Sequence, residues 1–270
     1  MNYKIGLTGA TGSLGSIITK KLKKLNFIKF KKDLRNRNEV FNWVKKNNLD
    51  IVIHLAAIVP IKEVNRNKRK ALEVNYFGTK NIVDASIESR IKWFFFSSTS
   101  HVYKHSNKKI SENSLKRPIS YYGKTKLLAE NYIIKSFKKK KIKFCIGRIF
   151  STTNKNQKKN YLVPDLKYKI KNAKHSIKLE NLNHHRDFIS MNDITNIIQI
   201  LLRKKYTGVL NFGSGEGTYL KDIAHIIGQK HKKTLIFNDN KTNTKLVANV
   251  NKLKKIYKSK ITNNIKKMIF

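Results

Sequence analysis

Tyr122 and Lys126 lie four residues apart in the segment Tyr122-Gly123-Lys124-Thr125-Lys126. On a helix that spacing sets the lysine ammonium beside the phenol. A free phenol, with a pKa of about 10, is a poor proton carrier near neutrality. A neighbouring cation favours the phenolate and makes the group useful for acid–base chemistry. Tyr121 has Thr125 at the same spacing, so only Tyr122 gains a lysine partner. A second candidate is Thr8-Gly9-Ala10-Thr11-Gly12-Ser13-Leu14-Gly15. Here Gly9 permits a tight turn, Gly12 lets backbone approach a pyrophosphate, and Gly15 lets a following helix pack closely. That reading needs a strand before the turn and a helix after it.

The hydrophobic pattern supplies both. Residues 3–9 read as a buried strand and Leu14 to Leu25 as a helix. Residues 27–30 are a brief strand, and Glu39 to Lys46 a helix with Val40, Trp43 and Val44 on one side. Asp50 to Ala57 and Trp93 to Ser98 are continuous apolar runs, as strands covered on both faces require. Leu72 to Glu88 reads as one helix with Leu72, Tyr76, Ile82 and Val83 towards the core. Ser120 to Phe137 is a long helix that carries Tyr122, and Lys143 to Phe150 a further strand. Alternation of this kind predicts an α/β fold with a mostly parallel sheet. After residue 150 the texture changes. Residues 151–160 read as a loop, 162–172 as a helix, 176–179 as a strand and Asn192 to Leu202 as a helix. A strand at 208–212, a helix near 219–229 and a basic tail follow. The expected division is 1–150 and a smaller, partly interleaved portion at 151–270.

The chain has 270 residues, 40 % of them hydrophobic, too many for a disordered basic tail. No apolar stretch reaches the roughly 20 residues of a membrane span. No signal core precedes the first motif, and the single cysteine, Cys145, fits a reducing cytoplasm. The net charge is +43, from 59 Lys and Arg against 16 Asp and Glu. Only nine of the basic residues are Arg, the type favoured for base recognition and phosphate capture. Lys, Asn, Ile, Phe and Tyr share A/T-rich codons, so the excess reads as compositional background, with Lys138 to Lys141 a solvated turn. No specific nucleic acid, membrane or metal partner is expected.

Longer stretches carry a resemblance. The turn has GxxGxxG spacing, residues 96–103 read FSSTSHVY, and residues 122–130 read YGKTKLLAE. HLAA stands at 54–57, VNYFGT at 74–79, NYLVP at 160–164, RDFISMNDI at 186–194 and NFGSG at 211–215. Together they resemble the extended short-chain dehydrogenase/reductase family of nucleotide-sugar epimerases, dehydratases and reductases, from Ile5 to about Leu253. The resemblance implies a Rossmann-like doubly wound parallel sheet with a smaller C-terminal substrate-binding α/β portion. It makes Thr99, Tyr122 and Lys126 catalytic. The cofactor would be held by Gly9, Thr11, Gly12, Ser13, Leu14, Gly15, Asp33, Leu34, Ala56, Ala57, Asn75, Ser97, Tyr122 and Lys126. Thr99, Ser100, Arg186 and Asn160 would meet substrate, with Arg186 on its diphosphate. Asp33-Leu34 falls where relatives contact adenine, which leaves no acid for the ribose. Lys29, Lys31 or Lys32 could then meet a 2′-phosphate, a lean to NADP over NAD. His54 is read as a core histidine.

The expected activity is hydride transfer at a sugar hydroxyl or keto carbon, as a 4-epimerase or a 4-keto-sugar reductase, in a cytoplasmic homodimer. Ser100-His101 replaces the Asp-Glu pair of 4,6-dehydratases, which argues against elimination. A non-catalytic dinucleotide-binding regulator is the alternative, and a polyanion binder driven by the charge a further one.

Overall fold

A computed structural model describes residues 3–157, 159–238, 243–261 and 263–270. Six strands form one parallel sheet: β1 (Ile5–Thr8), β2 (Phe27–Phe30), β3 (Ile51–His54), β4 (Trp93–Thr99), β5 (Lys143–Ile149) and β8 (Gly208–Phe212), in the order β2-β1-β3-β4-β5-β8. The chain winds one way from β1 to β2 and the other from β1 to β3, so the strand order reverses beside β1. Ligands of such sheets sit at that reversal, outside the carboxyl ends of the strands. The register aligns Thr8 with His54 and His54 with Phe96. The glycine turn, the HLAA segment and the end of β4 therefore leave the sheet at one edge.

Helices α1 (Ser13–Lys21), α2 (Arg37–Lys46), α3 (Ile61–Arg66), α4 (Lys68–Leu72), α5 (Gly78–Glu88) and α6 (Tyr121–Lys140) fill the crossovers. Val40 and Val44 of α2, Ile82 and Val83 of α5 and Ala129, Ile133 and Phe137 of α6 pack with Val52, Phe94, Phe96 and Ile146 of the sheet. This burial of apolar surface, at about 25 cal/mol per Å², is the main force fixing α6 to β4. Ser120 caps α6, its hydroxyl accepting from the Gly123 amide at 3.1 Å. The helix ends at Lys141, φ +54, after the exposed lysines 138–140.

The expected single helix at 72–88 is corrected. Glu73–Phe77 is a π-helical turn between α4 and α5. Its extra residue shifts the buried stripe to Ala71, Asn75, Thr79 and Ile82, leaving Leu72 and Tyr76 only half buried. The reason is tertiary: the Asn75 side chain binds the chain after β3, as described below, and a single turn of wider helix brings it there.

The chain divides into two compact units. The first takes residues up to Tyr103 with Leu115–Arg148 and Thr195–Leu210; the second takes Lys104–Ser114, Ile149–Ile194 and residues from Asn211 onward. In the second unit β6 (Ser176–Glu180) pairs in parallel with β10 (Thr234–Asn238). A three-stranded sheet has the order β11 (Thr244–Leu246), β7 (His184–Asp187), β9 (Gly217–Tyr219). Helices α7 (Leu162–Asn172) and α9 (Leu220–His231) share its apolar core, and α8 (Met191–Lys204) continues from this unit into the first. The basic tail is also corrected: beyond 231 the chain forms β10, β11, α10 (Asn251–Ile256) and α11 (Ile265–Ile269). Ile265, Met268 and Ile269 are buried, so this lysine-rich stretch carries enough apolar residues to fold. No helix among the described residues is long and apolar enough to cross a membrane.

Candidate active site

The glycine turn is closed to larger residues. Gly9 has φ +72, and a Cβ there would lie 2.7 Å from the Ala56 amide nitrogen. A Cβ on Gly15 would lie 2.1 Å from the Gly9 carbonyl oxygen. Gly12 caps α1 without any side chain, and the first turn of α1 holds no acidic residue. The free first-turn amides of Ser13 and Leu14 and the helix dipole therefore favour an anion. Gly15→Ala should drive the turn and the helix apart. We expect a loss of several kcal/mol of stability or of dinucleotide binding, checked by urea unfolding and by nicotinamide fluorescence; unchanged values in both would refute the close packing.

A buried polar chain leads from this turn towards Tyr122. Thr8 Oγ accepts from the Ala56 amide at 3.2 Å and meets His54 Nδ1 at 2.6 Å. His54 Nε2 meets Thr79 Oγ at 2.9 Å, and Thr79 donates to the Asn75 carbonyl at 2.7 Å. Thr79 has one hydrogen, so Nε2 is the donor to it, and Nδ1 accepts from Thr8. This neutral tautomer suits a site where burial, and secondarily the charge of Lys126, holds the His54 pKa down to about 3. Asn75 is fully buried. Its amide accepts from Ile58 N at 2.8 Å and donates to Ile58 O at 3.0 Å and to Thr125 Oγ at 3.2 Å. Thr125 in turn donates to the Tyr122 carbonyl. Asn75 thus ties the segment after β3 to the first turn of α6, while Ala56 and Ala57 stay half exposed.

Tyr122 and Lys126 share a face of α6. The Tyr122 side chain packs with Val64 and Ala71, and its ring lies edge-on to His101 with centroids 6.1 Å apart. Lys126 is only 1 % exposed, with Nζ 4.0 Å from the Phe96 ring centroid. Burial lowers its pKa to about 7, against the opposing attraction of Glu130. Thr99 ends β4, and its hydroxyl accepts from the His101 amide at 3.2 Å. His101 Nδ1 meets the Ser120 hydroxyl at 3.0 Å, which joins the end of β4 to the start of α6. Ser100 is buried in the 3-10 turn that follows, and Ser97 is half buried on β4. Thr11 is exposed at the tip of the glycine turn.

Asp33 and Leu34 follow β2, beside a cleft of about 520 Å³ lined by Asp33, Arg35, Asn36, Glu73 and Phe77. Leu34 is buried, and Asp33 is gripped by Arg35, its carboxyl held below the usual range by that hydrogen bonding. In the second unit lie Asn160, half buried before α7, and Arg186 on β7. The Arg186 guanidinium donates to the carbonyls of His185 (2.8 Å) and Thr244 (3.1 Å) and to Thr244 Oγ (3.1 Å). Burial lowers its pKa to about 10, and among the described residues it has no carboxylate partner. Asp187 points elsewhere, accepting from Ser214 N and Oγ, Gly215 N and Ala248 N.

A family model, the NAD dependent epimerase/dehydratase family, matches residues 5–213. The chain belongs to this family. Among curated proteins it is 28 % identical over 199 residues to a GDP-6-deoxy-D-talose 4-dehydrogenase of Aggregatibacter actinomycetemcomitans, covering 72 % of this chain and 66 % of that protein. It is 27 % identical over 266 residues to a UDP-glucose 4-epimerase of Mycoplasma genitalium, covering 88 % and 78 %. The chain thus spans just under two thirds of the length of the first of these. Among solved structures, MoeE5 in complex with UDP-glucuronic acid and NAD superposes with a TM-score of 0.86 at 19 % identity, over 98 % of this chain and 96 % of that one.

As an extended short-chain dehydrogenase/reductase, the chain places the candidate residues of its first unit along one sheet edge, whereas Arg186 and Asn160 belong to its second unit. Two groups escaped sequence reasoning. Glu130 and Arg148 form a buried ion pair: Arg148 Nε lies 3.1 Å from both carboxylate oxygens and Nη2 2.7 Å from Oε2. Ser98 donates to Glu130 and Arg148 donates to Tyr103 Oη at 2.7 Å, so the pair locks β4, α6 and β5 together beneath Lys126. Glu130 lies four residues after Lys126, a signal present in the sequence; Arg148 inside an apolar strand was the other.

Proposed function

We propose that this family member is an NAD(P)-dependent nucleotide-sugar oxidoreductase or epimerase, acting at a sugar hydroxyl or keto carbon. The observation that carries the proposal is the Tyr122–Lys126 pair, buried on α6 beside the end of β4 and tied by Asn75 to the chain next to the glycine turn. The turn fits a dinucleotide pyrophosphate because Cβ atoms at Gly9 and Gly15 would fill it and because α1 opens with uncapped amides. When bound, the nicotinamide would supply or accept hydride. Thr99 and Tyr122 would hold the sugar oxygen, with Tyr122 Oη passing the proton to it or taking it back. Lys126 in its charged form would favour the phenolate. Arg186 would bind the substrate diphosphate, since a desolvated guanidinium without a carboxylate gains most from an anion. Ser100-His101 brings no carboxylate to the end of β4, which favours epimerase or reductase chemistry over elimination.

The lean to NADP rests on β2. Asp33 is engaged by Arg35, and Lys32 pairs with Glu39 at 2.8 Å, which leaves Lys29 and Lys31 exposed beside the strand end. A 2′-phosphate there would meet positive charge with no free acid to repel it. NADPH is expected to bind about tenfold more tightly than NADH, and the Lys29→Ala, Lys31→Ala double variant to reduce that ratio. Titration of nicotinamide fluorescence checks it, and equal affinities in the wild type would remove the NADP assignment. The activity itself is tested by comparing turnover of the wild type and Tyr122→Phe with a panel of nucleotide sugars.

A further inference from the structure

Next to Arg186 the second unit holds two histidines for which the proposed chemistry has no role. Side chains alternate along β7, so His184 and Arg186 share one face, while His185 and Asp187 take the other. His185 stacks on Tyr219, with ring centroids 4.8 Å apart, and Asp187 is enclosed by Ser214, Gly215 and Ala248. On the shared face Thr244 Oγ accepts from Arg186 Nη2 at 3.1 Å and lies 2.9 Å from His184 Nδ1. Thr244 Oγ thus links the two side chains, with the hydrogen between it and Nδ1 on either atom according to the imidazole tautomer, and the Asn183 backbone also hydrogen-bonds His184. The third member is His105. The Ser106 amide donates to the Lys245 carbonyl, and Ile110 pairs with Ala248, so residues 105–110 run along the free edge of β11. His105 Nε2 is buried with no hydrogen-bond partner, which costs roughly 1–3 kcal/mol unless a ligand satisfies it.

We infer that His105 and His184 complete the diphosphate site begun by Arg186, taking up protons as they bind the anion. The inference rests on the proposed role of Arg186. The charged groups acting on His105 are Arg186 and His184, and on His184, Arg186. Lys245 follows Thr244 and, in register with His185, belongs to the opposite face of the sheet. Burial first, then the guanidinium, holds both imidazoles below their usual range, so at neutral pH both are uncharged in the free protein. A diphosphate cancels the repulsion from Arg186 and raises both. The sign follows by linkage: a group that gains protons on binding strengthens binding as pH falls, by up to tenfold per pH unit for each proton, between its bound and free pKa values.

The test is calorimetric titration with UDP-glucose, GDP-mannose and dTDP-glucose, whose diphosphate diesters do not titrate in the range used, between pH 8 and pH 5.5. We expect at least one to bind at least about tenfold more tightly at the lower pH, with uptake of about one proton read from buffers of different ionisation enthalpy. The His105→Asn, His184→Asn double variant should lose that gain. Imidazole proton resonances of the wild type should titrate higher when the sugar nucleotide is present, and higher in Arg186→Met without it. A flat profile in the wild type, with binding still abolished by Arg186→Met, would overturn the histidine roles and leave Arg186 its own. Full binding by Arg186→Met, or no binding of any of the three at any pH, would overturn both.

Discussion

Tyr122→Phe is expected to lower turnover by about 10²–10⁴-fold, the range of a lost general acid–base group. Dinucleotide affinity should change far less. The phenyl ring retains the packing of Tyr122 against Val64 and Ala71 and its edge contact with His101, so the fold of α6 is not at risk. What is lost is one oxygen on the helix face shared with a lysine that is more than nine-tenths buried. Lys126 explains why the effect should be this large. With its pKa near 7 it is charged in a good fraction of molecules at neutral pH, and its charge acts through a medium from which water is largely excluded. Steady-state rates with a panel of UDP-, GDP- and dTDP-linked sugars, set beside cofactor titration, check the prediction. Loss of cofactor binding in step with turnover would assign Tyr122 to binding instead.

Arg148→Met is expected to destabilise the fold by about 3–5 kcal/mol, because it leaves Glu130 ionised and buried with only the Ser98 hydroxyl among its contacts named above. The pair is 2 % and 1 % exposed, so solvent cannot take the place of the guanidinium. Urea unfolding measures it directly, and a loss below about 1 kcal/mol would mean that the network relaxes around the change. Glu130→Gln has a second consequence. The carboxylate supports the charge on Lys126, so its removal should let the Lys126 pKa fall further below 7. The proton is then lost at lower pH, the phenolate of Tyr122 loses its support, and turnover at neutral pH drops even where the protein stays folded.

Much of the candidate site is legible in the sequence, because its chemistry is written locally. The glycines sit between an apolar run and an amphipathic one, and the tyrosine and lysine share a helical period. Both features survive in three dimensions as a closed turn and a buried pair. The sequence offers Asn75 only through its resemblance, as a residue facing the cofactor; its place as a latch is not legible there, since its partners Ile58 and Thr125 lie 17 and 50 residues away. The same distance in sequence hid the π-helical turn that carries it. His54 could be assigned to the core from its apolar strand, yet its tautomer depends on Thr8 and Thr79 together. In the second unit the strand His184–Asp187 has no apolar period at all, and only the pairing with β11 and β9 reveals it. The charge of +43 has the opposite character. It dominates the composition, yet the described interactions of the site involve few lysines. The informative basic residues are those removed from water: Lys126, Arg148 and Arg186.

The role proposed for Tyr122, Lys126 and Thr99 is hydride transfer at a sugar carbon. Incubation of the protein with UDP-, GDP- and dTDP-linked 4-keto hexoses and with NADH or NADPH carrying deuterium at both C4 positions is the test, since an epimerase and a reductase would both reduce such a ketone. Mass spectrometry should find one deuterium in at least one product sugar, and none with Tyr122→Phe. Bound cofactor with no label in any sugar would rule that role out.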